Sequence, residues 1–131
     1  MLDTNVVSEW VKPRPDRNVV AWLGAVDEDE VFMSVVSLAE LRRGVELLPA
    51  GRRREDLAAW IAGELTERFH GRILDVDRRA ADGWGLVMAR GQRSGRTMTA
   101  MDAFFAATAE SHSLTLVTRN ARDFEGLGVP L

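Results

Sequence analysis

At 131 residues, with 46% hydrophobic and 28% charged side chains, the chain has the size and balance of one globular domain, residues 1–131, able to bury a core. It has no cysteine, which excludes disulfides and thiolate metal sites and suits a reducing compartment. A net charge of −3 argues against a broad electrostatic grip on nucleic acid, unless divalent cations reverse the local charge of an acidic site.

No apolar run approaches the roughly 18–20 residues that cross a bilayer. The opening MLDTNVVSEW has neither the basic nor the apolar region of a signal peptide, so the cytoplasm is the expected location. Only Met1 and Leu2 precede Asp3, a short lead-in for a first strand, which leaves open a native start upstream of Met1.

In chain order, Val6–Val11 reads as one or two helical turns stopped by Pro13 and Pro15. Asp16–Val26 is apolar at Val19, Val20, Leu23 and Val26, a helical spacing. Val31–Val35, rich in β-branched residues after an acidic stretch, predicts a strand. Ser37 is expected to open a helix through Leu48. A longer helix from Arg52 to about Phe69 aligns Leu57, Ile61 and Leu65. Arg72–Val76 reads as a short strand, Asp77–Arg93 as a helix, and the polar run through Gly95 as a loop. Thr99 caps a helix to about Ser113; Leu114–Thr118 is a buried strand and Gly128–Leu131 a final one. Alternating strands and helices predict an α/β fold with a central parallel sheet.

Four places set an acid or amide where a strand yields to a helix or loop: Asp3 and Asn5 in LDTNVVSE, Glu40 in SVVSLAELRRG, Asp102 in TAMDAFFAATA, and Asn120 with Asp123 in LVTRNARDF. Parallel α/β sheets bind ligands at the carboxyl ends of their strands, so these groups can share one cleft. Clustered carboxylates suit Mg²⁺, which prefers oxygen ligands and polarises phosphodiesters. Each acid also has a structural use: Ser37-x-x-Glu40 has capping-box spacing, as does Thr99-x-x-Asp102, and Asp3 and Asp123 stand where acids cap helical turns. Coincidence across all of them favours a site. His70 and His112, each near a helix C-terminus, are poor candidates for acid–base work.

Those four segments, in this order and separation, resemble the PIN domain and, within it, the VapC toxin family. EWVKPRPDRNVVAWL is similar to the FitB-like branch. The resemblance covers nearly the whole chain. It implies a three-layer α/β/α fold, Mg²⁺-dependent endoribonuclease activity with Mn²⁺ as a substitute, and homodimerisation. It also implies a cognate antitoxin with a DNA-binding N-terminal region and a C-terminal segment in the active-site groove. By position, Asp3 and Asp102 are the principal metal ligands, Glu40 completes a catalytic triad, and Asn5 and Thr118 are polar supports. The family's fourth acid falls on Asn120, an uncharged amide, which weakens a second metal site unless Asp123 or Asp82 substitutes and leaves the number of metals open.

Arg42, Arg90, Arg93 and Arg96 are candidates for RNA phosphate, set against a reading as solvated surface. Arg52–Arg54 reads as an exposed helix start. Trp10, Trp22, Trp60 and Trp84 are assigned to packing. An aspartyl phosphotransferase is disfavoured, because it needs a downstream lysine and Lys12 is the only lysine. A PIN-like module that binds RNA or a partner without cutting is the remaining alternative, with Asn120 in its favour. The nuclease reading requires the carboxyl groups of Asp3, Glu40 and Asp102 to approach within about ten ångströms, given metal–oxygen bonds near two.

Overall fold

A computed structural model describes residues 1–126, so the expected strand at Gly128–Leu131 lies outside the described residues. Its spine is a set of short parallel segments. Leu2 bridges to Val117 on one side and Met33 on the other, and β1 (Met33–Ser34) pairs with β2 (Ile73–Leu74). The spatial order is therefore Val117, Leu2, β1, β2. Backbone bonds tie it together: Asp3 N–H donates to Val117 C=O at 2.8 Å, Leu2 N–H to Phe32 C=O at 2.8 Å and Met33 N–H to Arg72 C=O at 3.0 Å.

Side chains alternate strictly across this spine. Met1, Phe32, Leu74 and Leu116 pack with one apolar cluster, while Leu2, Met33, Ile73 and Val117 pack with the other. That is the two-residue period of a sheet buried on both faces. The first cluster is closed by α6 (Arg78–Arg93) and the alanine-rich α7 (Ala100–Ser111). A Cβ on Gly83 would stand 3.3 Å from Ala107 Cβ, so the missing side chain lets α6 approach α7 closely. The second cluster is closed by α1 (Thr4–Val7), α2 (Arg17–Ala25) and the long helical stretch ending in Phe69. Burying a side chain such as Leu2 or Phe69 contributes about 1.5–3 kcal/mol. A one-residue slip of any strand would exchange the two sets. The result is the expected layering of helices on both faces of a parallel sheet.

Several elements differ from expectation. The strand at Val31–Val35 shortens to Met33–Ser34, and α3 (Val35–Glu46) begins two residues before Ser37. Ser34 is the cap: its Oγ accepts from Val36 N–H at 3.0 Å, and this local bond overrides the strand preference of Val35 and Val36. The Leu114–Thr118 strand contributes one bridge, at Val117. The long helix is present as α4 (Arg52–Trp60) and α5 (Thr66–Arg68), joined by a π-helical stretch at Ile61–Leu65 that the apolar period did not signal. Asp16, Asp77 and Thr99 each cap their helices through a side-chain oxygen. Among the described residues, no helix is long and apolar enough to cross a membrane.

Candidate metal centre

Asp3 sits where the first strand becomes α1. Its carbonyl accepts from Val6 and Val7 N–H at 3.0 and 3.2 Å, but its carboxylate makes no capping bond. Instead the carboxylate accepts from Thr118 Oγ1 at 2.8 Å. Thr118 Oγ1 in turn receives Asn120 N–H at 3.0 Å and Asn5 Nδ2 at 3.3 Å. With both lone pairs engaged, the hydroxyl proton is committed to Asp3. Asn5 Oδ1 accepts from Arg119 N–H at 3.2 Å, so the Asn5 amide clamps the end of the Val117 strand.

Glu40 reaches the same region from α3. The displaced helix start removes Ser37 from the capping position, so the capping box expected at Ser37-x-x-Glu40 does not form. Thr4 uses both groups: its Oγ1 donates to Glu40 Oε1 at 2.6 Å and lies 3.0 Å from Ser37 Oγ. Sequence reasoning gave Thr4 no role; its place directly after Asp3, at the helix start, was the available signal. Asp102 lies in the first turn of α7, where its N–H donates to Thr99 Oγ1 at 3.1 Å.

Electrostatics join these groups. Burial raises the Asp3 carboxyl above its ordinary value, against the Thr118 hydroxyl and the amides of Thr4 and Asn5, and the charge of Asp123 adds to the rise. Asp102 is raised by burial first, with the Thr99 hydroxyl opposing, and then by the charges of Asp3, Asp123 and Glu40. Among the described residues, no ion pair reaches Asp3, Glu40, Asp102 or Asp123. Among the described residues, no three acids or histidines stand close enough to enclose a metal as they are. The donor set nevertheless fits a hard cation that keeps most of its waters and takes one or two carboxylates. Asp3, Glu40, Asp102 and Asp123 are the acids that could serve it, because among the described residues none has a protein counter-ion.

The remaining candidates divide. Asp123 lines a small cavity with Asp102, Thr99 and Arg96, whereas Asp82 lines a separate cavity against Arg79 and Glu110. Asp82 is therefore set aside as a substitute acid. Asn120 is exposed, and its side chain makes no bond among the described residues. Of the four arginines, only Arg96 lies beside the acids, bonded to the Arg122 carbonyl. Arg42 pairs with Glu46 one turn along α3. Arg90 pairs with Glu110 at 2.9 Å, and Arg93 lines the same distant cavity. Glu110 is eight residues along α7 from Asp102, about 12 Å at 1.5 Å per residue. Helix geometry thus places Arg90 and Arg93, the candidates for RNA phosphate, about that far from Asp102.

A parallel α/β fold that gathers carboxylates without cationic partners at its strand ends defines a class of acidic-cleft proteins suited to divalent metal. Comparison with known proteins gives the family. Residues 1–129 match the PIN domain family. The chain is 37% identical to the VapC ribonuclease Y4jK of Sinorhizobium fredii over 100% of its own length and 94% of that protein's. It is 38% identical to toxin FitB of Neisseria gonorrhoeae, covering 95% of this chain and 89% of that one. The crystal structure of FitAcB from the same organism superposes with a TM-score of 0.92 at 37% identity, covering 98% of this chain and 93% of that one. The chain belongs to the PIN-domain family and, within it, to the group of VapC- and FitB-like proteins.

Proposed function

We propose that the chain is a metal-dependent endoribonuclease and the toxin of a toxin–antitoxin pair acting in the cytoplasm. The observation that carries this is Asp3: a carboxylate only 7% exposed, fixed by the Thr118 hydroxyl and left without a cation, beside the charges of Asp102 and Asp123. Relatives carrying the names VapC ribonuclease and toxin FitB support both halves of the reading.

Mg²⁺, or Mn²⁺ in its place, held by Asp3 and Asp102 with Glu40 alongside, would supply Lewis-acid polarisation of the scissile phosphate. Thr118 and Asn5 keep the Asp3 oxygens aimed into the cleft. Thr4 holds Glu40 so that its free oxygen can orient the attacking water or take its proton. Asn120 and Asp123 border the site as water-orienting groups, and Arg96 is the cation placed to meet the RNA backbone. In-line attack by water leaves a 5′-phosphate and a 3′-hydroxyl. An antitoxin bearing a DNA-binding N-terminal region would cover this cleft with its C-terminal segment, and the toxin would act as a homodimer.

The test is cleavage of a mixed RNA pool with and without Mg²⁺, together with end-group analysis. Loss of cleavage in Asp3→Asn and in Asp102→Asn supports the reading. Products ending in 2′,3′-cyclic phosphate, or activity that persists in both variants, would overturn it. A binding module without catalysis draws on Asn120, the uncharged group at the family's fourth acidic position. That alternative predicts RNA retention without cleavage in any divalent metal.

A further inference from the structure

Across Thr118 from Asp3 lies a second cavity of about 370 Å³, within the size range of small-molecule sites, roughly 300–1,000 Å³. Val6, Val19, Val117 and Trp22 line it, with Asn18 and Arg119 also on its border. Its charges are already spent on one another. The Arg119 guanidinium contacts Glu9 and, at 3.2 Å, Asp16. The Asp16 carboxylate also accepts from the Asn18 and Val19 amides. A phosphate would gain little there.

What the walls offer is apolar surface, an indole and a free amide. Trp22 is 38% exposed on a helix with no fully buried residue, so part of its indole is open to the cavity it lines. Among the described residues the Asn18 side-chain amide makes no hydrogen bond, so it can present both a donor and an acceptor. Thr118 lines the cavity and also donates to Asp3, so one side chain separates it from the acids.

We propose that this cavity is a nucleobase subsite, in which Trp22 stacks on the base next to the scissile phosphate and Asn18 reads its edge. The proposal rests on the ribonuclease reading and deepens it. An unpaired base in single-stranded RNA supplies the flat, uncharged, hydrogen-bonding group that the cavity fits, and base–aromatic stacking tolerates any sequence. Trp22, assigned to packing from sequence, becomes a substrate contact, and the Asn18 amide gives the stack a preference.

The experiment uses single-stranded 12-mer RNAs spanning a bond that the wild type cuts, each with one base removed in turn. Removal at one position flanking the bond should raise KM roughly tenfold, the loss of one base stack, with kcat little changed. Trp22→Ala should raise KM by a similar factor on intact RNA and lose no more on the abasic one. Trp22→Phe should recover most of the loss, and thermal unfolding should show both variants folded. Losses that multiply, or KM indifferent to Trp22, would overturn the subsite and leave Trp22 to a protein contact. Failure of the nuclease reading is distinguishable. Anisotropy of a labelled uridine 12-mer and its fully abasic counterpart, bound to Asp102→Asn, tests the subsite without cleavage. The base-bearing strand should bind more tightly, and Trp22→Ala should erase the difference; equal binding would overturn the proposal.

Discussion

Asp3 and Glu9 are both buried carboxylates on one short helical stretch, at 7% and 2% exposure, and their surroundings are opposite. Glu9 is saturated: Lys12 Nζ donates at 2.8 Å, Asp16 N–H at 3.0 Å, and Arg119 adds a guanidinium. The Lys12 hydrogen bond, then the Asp16 amide, and the nearby cations hold its carboxyl below the ordinary value against burial. Asp3 has a hydroxyl and no cation, and burial raises it. Glu9 is thus bound to the architecture, whereas Asp3 carries a charge that folding does not neutralise. Burial alone does not single out a candidate site acid; burial without a counter-ion does. The two are also wired together, since Arg119 contacts Glu9 with its side chain and Asn5 with its backbone, and Asn5 bonds the Thr118 that orients Asp3.

Substitutions can break this contrast. The largest effect is expected at the acids without partners: Asp102→Asn should lower RNA cleavage more than about a hundredfold, beyond the roughly 10–100-fold typical of outer-shell changes. Mg²⁺ should raise the melting temperature of the wild type but not of Asp102→Asn. Next comes Thr118→Val, which removes the proton fixing Asp3; activity should fall about 10–100-fold with the helical circular-dichroism signal unchanged.

Glu9→Ala should instead lower stability. Urea denaturation should show a loss of about 2 kcal/mol, less than the roughly 3–5 for a fully buried pair, because Lys12 and Arg119 remain partly in solvent. Ser34→Ala should cost about 1 kcal/mol as a lost helix cap. Ser37→Ala, at the position expected to cap α3, should change stability less and report in cleavage through Thr4 and Glu40.

The smallest effect sharpens the comparison most, because the two acids respond to pH with opposite sign. Asp3 is raised in the folded state, so its ionisation opposes folding. That cost is absent below the ordinary aspartate value and grows as pH rises through the folded one. Metal-free Asp3→Asn should therefore melt above the wild type at pH 7, and the gap should close in acid. Glu9 is lowered on folding, so its contribution is complete above the ordinary glutamate value and fades as pH falls through the folded one. The deficit of Glu9→Gln should be largest near neutrality. Parallel melting curves for both variants from pH 7 to pH 3 would dissolve the distinction.

Much of this molecule was legible in the chain. Periodicity located the helices at Arg17–Ala25, Arg78–Arg93 and Ala100–Ser111, and Asp16, Asp77 and Thr99 announced their starts. Composition at the strand ends singled out Asp3, Glu40 and Asp102. The harder features arise where local preferences compete. Ser34 and Ser37 offer the same hydroxyl three residues apart, and the choice between them decides whether Glu40 caps a helix or faces Thr4. Glu9 was passed over because its partners come from Lys12, Asp16 and the distant Arg119, a meeting that no local pattern records. Arg90 and Arg93 were drawn toward the acids by closeness in sequence, although α6 carries them to a different cavity.

By itself, then, the sequence determined the alternation of helix and strand and the acids that were candidates for a site, because helical and strand periods and capping preferences act over a few residues; its four motifs carried the resemblance to the family. Only the tertiary structure decided which carboxylates are neutralised and which are not, since that depends on contacts between residues as far apart as Asp3 and Thr118. It also decided which aromatic stays at the surface, for an indole's burial depends on what the rest of the chain packs against it.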